Sequence, residues 1–127
     1  MAHFVFEYSA NLDKEALAVG ALFSKLHETV AASGIFPMAG MRSRAYCAND
    51  YYVANGDPNH AFVHLNFKIG TGRSEQEQDD AFKLVKGVLL EHLDKLYQSR
   101  ALAISVEMSE LPAKLRHNAN NVREYIK

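Results

Sequence analysis

The sequence is poor in cysteine, having one in 127 residues, and it contains no tryptophan. Its single thiol, Cys47, cannot form an intrachain disulfide, so we expect the protein in a reducing compartment, the cytoplasm. No apolar run approaches the roughly 18 residues of a membrane span, and the N-terminus lacks the basic and apolar regions of a signal peptide. Cys47 falls in an apolar alternation, which predicts a small core residue and not a nucleophile.

The sequence also lacks an excess of charge of either sign, because 14 basic residues balance 15 acidic ones. This argues against a nucleic-acid or membrane-surface partner. The six histidines form no H-E-x-x-H motif, so we predict no metal site. Segment 70–74 precedes a helix signal, but it lacks the P-loop lysine and the dinucleotide fingerprint. The segment is therefore a weak nucleotide-binding motif.

Hydrophobic spacing predicts the order strand, helix, strand, repeated once after a turn at residues 55–58. The predicted strands are His3–Ser9, Met41–Ala48, Phe62–Ile69 and Ala101–Met108. The first helix follows Asn11 or Asp13 with an apolar stripe, and a capping box at Ser74 opens the second. The two stripes are Leu12, Ala16, Val19, Phe23, Leu26 and Val30, and Phe82, Val85, Leu89, Leu93 and Leu96. The polar tail from Leu115 is predicted to be an extended or short helical appendage.

Two βαβ units, about residues 1–58 and 59–127, therefore form one domain of 127 residues. A helical crossover makes its flanking strands parallel. The fold class is α+β in two layers: a four-stranded mixed sheet with two helices on one face. Apolar residues at strand positions of both faces, such as Phe4 and Val5, predict oligomerisation through the uncovered face.

Two segments carry arginine beside glycine at the edge of a strand. They are residues 34–44 (GIFPMAGMRSR) and 68–74 (KIGTGRS). Glycine lets backbone and ligand come close, and arginine binds carboxylates bidentately. The pattern predicts a site for a small polyanion at Arg42 and Arg73. Arg44 lies on the same strand face as Arg42, and it either shares the site or pairs with an acid.

The plan and these segments, together with AFVH at 61–64, resemble the 5-carboxymethyl-2-hydroxymuconate isomerase family of the tautomerase superfamily. 4-Oxalocrotonate tautomerase and macrophage migration inhibitory factor (MIF) belong to the same superfamily. The resemblance implies a tautomerase/MIF-like fold and a homotrimer with a site at each subunit boundary. It implies a cofactor-free isomerase that converts a carboxylated enol to an unsaturated ketone in homoprotocatechuate catabolism. It also implies that Arg42 and Arg73 hold and polarise the substrate.

The catalytic base that this resemblance implies is the free amine of an N-terminal proline, and the matching position here is Ala2. Ala2 serves only if Met1 is removed, because a retained Met1 moves the amine by about 3.8 Å and turns the Ala2 nitrogen into an amide. An α-amino group has a pKa of roughly 7.7–8.0. Burial and nearby arginines both lower that pKa. Two alternatives remain: a weakened or non-catalytic trimer that binds a small anion or a protein, and a tautomerase of a simpler enol such as phenylpyruvate.

Overall fold

The computed structural model describes residues 1–126. The strands are β1 (Ala2–Ser9), β2 (Met41–Ala48), β3 (Ala61–Ile69) and β4 (Leu102–Glu110). The helices are α1 (Lys14–Leu17), α2 (Val19–Ala32), α3 (Glu75–His92) and α4 (Asp94–Ser99). Single 3₁₀ turns occupy Met38–Gly40 and Val122–Glu124.

The sheet has four strands in the order β2-β1-β3-β4. Each βαβ unit supplies a parallel pair, β1 with β2 and β3 with β4, and the antiparallel pairing of β1 with β3 joins the units. Helices α2 and α3 pack against each other over the buried side of the sheet. The predicted four-stranded mixed sheet with helices on one face is confirmed. Ala2, the first residue of the central strand β1, pairs with Met41 on one side and with Ile69 on the other.

The core lies between this sheet and the two long helices. The rings of Phe4 and Phe67, on neighbouring strands, stack with centroids 4.6 Å apart and planes 9° apart. Both side chains are fully buried, as are the principal core residues of the helices, Leu22, Leu26, Val30, Val85 and Leu89. Alternate residues of β1 and β3 face this core, which anchors the first residue of β1 at the sheet edge.

The first helix is not continuous as predicted, because Ala18 adopts a left-handed conformation with φ of 44°. Asp13 caps α1 by accepting a hydrogen bond from the Ala16 nitrogen at 3.2 Å. The break changes the phase of the helix, so Leu17 and Leu22 are buried while Ala16 is exposed. Ala16 was therefore wrongly predicted to lie on the buried stripe.

Helix α3 begins at the predicted capping box. Ser74 Oγ accepts from the Glu77 nitrogen at 3.1 Å, and the Glu77 carboxylate accepts from the Ser74 nitrogen at 3.0 Å. The helix ends at His92, and the buried Leu93 separates it from α4. The predicted stripe nevertheless continues across this break, because Leu96 packs against the core. None of the helices within residues 1–126 has both the length and the apolar character to cross a bilayer.

The sheet face opposite the helices is mainly polar, contrary to the prediction. Register pairing aligns residues of the four strands in rows across this open face. The rows are Arg42, His3, Lys68 and Ser109; Arg44, Val5, Asn66 and Glu107; and Tyr46, Glu7, His64 and Ser105. The prediction was wrong because it generalised from a few apolar positions such as Val5. Oligomerisation therefore cannot be argued from an apolar open face.

Cys47 is exposed, so its predicted place in the core was wrong. It lies near the end of β2, which is an edge strand of the sheet. Its neighbour across the pair, Tyr8, is buried on central strand β1. Position at the margin of the sheet, and not the local alternation, decides the exposure of the thiol.

Candidate active site

The chain start is held at the end of the central strand. The Gly70 nitrogen donates to the Met1 carbonyl at 3.1 Å, and the next residue, Ala2, is fully buried. Gly40 lies against the amine, since a Cβ on it would be 3.6 Å from the Met1 nitrogen. The absence of a side chain at Gly40 therefore leaves room for a ligand beside the amine.

Arg73 lies between β3 and α3, where the sequence predicted a binding residue. Its guanidinium lies over the ring of Phe36, 4.2 Å from the centroid. Its Nη2 atom donates a long hydrogen bond of 3.4 Å to the Ile35 carbonyl. Stacking on Phe36 orients the guanidinium plane and leaves nitrogen atoms for a ligand.

A second guanidinium, that of Arg116, approaches the same glycine from the C-terminal segment. A Cβ on Gly70 would be 3.7 Å from Arg73 Nη1 and 3.8 Å from Arg116 Nη2. It would also be 4.0 Å from the Met1 carbonyl oxygen. The two guanidinium groups therefore converge at Gly70, next to the chain start.

Residues 111–121, here called the C-terminal strap, cross this end of the sheet. The Leu111 nitrogen donates to the Ile69 carbonyl at 2.7 Å, and Asn120 Nδ2 donates to the Ala39 carbonyl at 2.8 Å. The segment has no regular helix or strand and bends at residues 113–115, where Leu115 has a φ of 58°, and the short 3₁₀ turn Val122–Glu124 follows it. Both predicted conformations, irregular chain and a short helical turn, therefore occur in the tail, and the strap packs over the site. A cavity of about 300 Å³ lies beneath it, lined by Met1, Pro37, Ala39, Gly40, Asn118, Asn120 and Arg123.

Arg42 and Arg44 both contact the ring of His3 on the open face. Arg42 Nη1 lies 3.3 Å from His3 Nε2, and Arg44 Nη1 lies 3.1 Å from His3 Nδ1. Burial, followed by the charges of Arg42 and Arg44, lowers the pKa of His3, which favours the neutral ring. A neutral imidazole has one acceptor nitrogen, so one of these contacts brings two N–H donors together. An anionic acceptor bound here would relieve that conflict.

The α-amino group of Met1 is electrostatically tuned by its surroundings. Burial is the first cause that lowers its pKa below 8.0, followed by the charges of Arg73, Arg42 and Arg116. Burial favours the unprotonated amine because a buried charge loses hydration, and the arginines favour it because they repel a further positive charge. A larger fraction of the amine is therefore a free base near neutral pH than in an unfolded chain.

The sequence-predicted residues fall into one region. Arg42 and Arg73 lie close enough to the chain start to perturb its amine, and His3 links Arg44 to Arg42. Arg44 does not pair with an acid in residues 1–126. Ala2 is a buried strand residue, and in this chain the amine belongs to Met1.

Sequence reasoning missed Arg116 and Asn118. Asn118 Oδ1 accepts from Arg42 Nη2 at 2.8 Å. Both residues lie on the strap, where no periodic pattern relates them to the strands. The only local signal was a basic residue in a polar tail, and such a residue is usually solvated.

The class of this protein follows from its architecture and its solved neighbours. A structure named as a fused 4-OT symmetric trimer superposes with a TM-score of 0.62 over 92% of this chain and 91% of that chain. The identity is 17%, which shows a common fold alone. The chain has the tautomerase fold, with an amine at its start and arginines around it.

Closer relatives define the family. The model of the 5-carboxymethyl-2-hydroxymuconate isomerase family matches residues 2–126. The chain is 40% identical over 127 residues to the 5-carboxymethyl-2-hydroxymuconate Delta-isomerase of Escherichia coli, with all of both chains covered. It is 34% identical to a crystal structure of a 5-carboxymethyl-2-hydroxymuconate isomerase from Deinococcus radiodurans R1, with a TM-score of 0.90 over 99% of this chain and 95% of that one. The chain belongs to the 5-carboxymethyl-2-hydroxymuconate isomerase family.

Proposed function

We propose that this protein is a cofactor-free isomerase of unsaturated carboxylated enols, with 5-carboxymethyl-2-hydroxymuconate as its substrate in homoprotocatechuate catabolism. Membership of the family supports the substrate class. The observation that carries the proposal is the geometry of the chain start: Gly40 lies against the amine, and the guanidinium groups of Arg73 and Arg116 converge at the neighbouring Gly70. Burial and the arginine charges accordingly lower the pKa of this amine. A base poised near neutral pH beside guanidinium groups suits proton transfer next to a carboxylated, conjugated system.

In the proposed reaction, the enol loses its hydroxyl proton and a carbon of the conjugated chain gains one. Atoms and charge balance without a redox partner, because the product is an isomer. Arg42 and Arg73 hold the anionic groups and stabilise the negative charge that develops on oxygen. Arg44 supports Arg42 through their common contact with His3. The N-terminal amine carries the proton between oxygen and carbon.

The second candidate is a weakened or non-catalytic homologue that binds a small anion. It is favoured by one observation: the amine belongs to Met1, whereas the family pattern places the base at position 2. A misplacement of about 1 Å can cost roughly 100-fold in rate. Removal of Met1 would give the amine to Ala2, so the two candidates differ in the state of the chain start.

The test is an enol–ketone assay on protein whose N-terminal mass has been verified. Loss of the enol absorbance of 5-carboxymethyl-2-hydroxymuconate is followed with Met1 present and with Met1 removed. Arg42→Ala is expected to reduce turnover, and Lys86→Ala, on the exposed side of α3, is the control that should not. Tight binding of the substrate without turnover in either form would favour the second candidate.

We also infer a homotrimer with the site at the subunit boundary. The neighbour named as a fused 4-OT symmetric trimer supports this assembly. The row of Arg42, His3 and Lys68 continues from the site onto the open face. A second subunit that packs on this face would complete the site. Light scattering should give three times 14.2 kDa. A monomer at micromolar concentration would contradict the assembly.

The exposed Cys47 thiol supports a reducing compartment, the cytoplasm.

A further inference from the structure

Arg116 is a basic side chain that the strap holds in place without neutralising it. The Leu111 and Asn120 hydrogen bonds anchor the strap to opposite sides of the site. The Nε–H of Arg116 donates to the Pro112 carbonyl at 2.7 Å. Within residues 1–126, no hydrogen-bond partner is found for either terminal nitrogen of Arg116. These two nitrogens therefore remain available for a ligand, on an exposed side chain that one hydrogen bond ties to the strap.

The site also lacks acidic side chains that would balance its arginines. Within residues 1–126 the one contact between a basic and an acidic side chain at ion-pair distance is that of His64 with Glu107, on the open face. Arg42, Arg73 and Arg116 consequently share no carboxylate, although the chain has 15 acidic residues. Their charges act together on the Met1 amine. Like charges brought together without counterions repel each other, and an anion with several charges would remove that repulsion.

We infer that Arg116 is a specificity-determining residue that binds a third carboxylate of the substrate, while Arg42 and Arg73 hold the other anionic groups. The inference rests on the proposed function. A muconate carries two carboxylates, and its 5-carboxymethyl group adds a third. Arg116 belongs to the strap and Arg73 to the loop before α3, where it stacks on Phe36, yet both guanidinium groups lie within 4 Å of a Cβ position on Gly70. Arg116 therefore adds a third guanidinium to the site. The strap thereby selects tricarboxylates over dicarboxylates.

The experiment compares two unreactive anions that differ by one carboxylate. The probes are trans-aconitate, a tricarboxylate, and glutaconate, which has the same carbon chain without the central carboxylate. Titration calorimetry at fixed ionic strength measures both dissociation constants. Arg116→Ala should weaken trans-aconitate by roughly 10- to 100-fold, which is the loss of one charge-assisted contact, and glutaconate by less than about 3-fold.

Matched variants separate recognition from general electrostatics and from folding. Lys114→Ala removes the same charge from an exposed position on the same strap, and it should change neither constant. Arg116→Lys keeps the charge without the planar fork and should recover part of the preference. If the alanine variant folds poorly, Arg116→Gln replaces it, because glutamine keeps a polar side chain without the charge. Circular dichroism checks that each variant is folded.

The failures of the two proposals are distinguishable. If the wild type prefers trans-aconitate through Arg116 but does not isomerise the enol, the inference stands and the proposed activity falls. If the enol is isomerised but Arg116→Ala weakens both anions equally, or neither, the inference is overturned. A wild type that binds both probes with the same affinity also overturns it.

Discussion

Replacing Arg73 by alanine should damage anion binding far more than folding. In the folded chain the guanidinium stacks on Phe36 at 4.2 Å and makes one long hydrogen bond of 3.4 Å to Ile35. A partly exposed stack of this kind contributes about 0.5–1 kcal/mol, and the long hydrogen bond adds little. A lost charge-assisted contact to a carboxylate costs about 1.5–3 kcal/mol of binding. We therefore expect a loss of roughly 10- to 100-fold in affinity with a small loss of stability.

The same substitution should change the pH dependence of activity. Arg73 is the first of the charges that lower the pKa of the Met1 amine, after burial. Without it, the amine pKa rises towards 8.0, so the free base appears only at higher pH. The acidic limb of kcat/KM should consequently move to higher pH in Arg73→Ala. Arg73→Lys keeps the charge, so the limb should stay close to its wild-type position while affinity still falls.

Three measurements check this reasoning: the dissociation constant of trans-aconitate, the urea midpoint and the pH profile. Unchanged affinity in Arg73→Ala would refute the assignment of Arg73 to the binding site. A large drop in the urea midpoint together with unchanged affinity would identify a structural arginine. An unmoved acidic limb would show that the charge of Arg73 does not act on the catalytic base.

Further predictions concern the base, a partly buried histidine and a helix cap. With Met1 removed, Ala2→Pro should raise isomerase activity by about tenfold or more, because a rigid secondary amine replaces a flexible one; equal rates in a paired assay would contradict the mechanism. Burial lowers the pKa of His27, whose Nε2 lies 2.7 Å from Ser43 Oγ. The unfolded chain then takes up a proton first, so stability should fall as pH drops below about 6.5, and His27→Asn should reduce the difference between urea midpoints at neutral and acidic pH. Ser74→Ala should destabilise the protein by about 1 kcal/mol in urea without changing anion affinity; a neutral effect would show that the cap is dispensable.

The sequence by itself predicted the strands and the arginines that follow from local pattern. Alternation with period two identified β1 and β3 to within one residue, because these central strands bury one face completely. The capping box identified the start of α3, since both of its hydrogen bonds are local. Arg42 and Arg73 were indicated by glycine beside a strand edge, which is also a local signal.

Only the tertiary structure decided which distant residues share the site. Arg116 reaches Gly70 because the strap crosses back over the sheet, and Asn118 meets Arg42 across 76 positions of sequence. His3 lies between two arginines because β1 and β2 pair in one particular register. Register and chain return depend on long-range pairing, for which local periodicity holds no signal. Which charged residues surround the chain start is therefore decided only when the strands have paired and the strap has packed over the sheet.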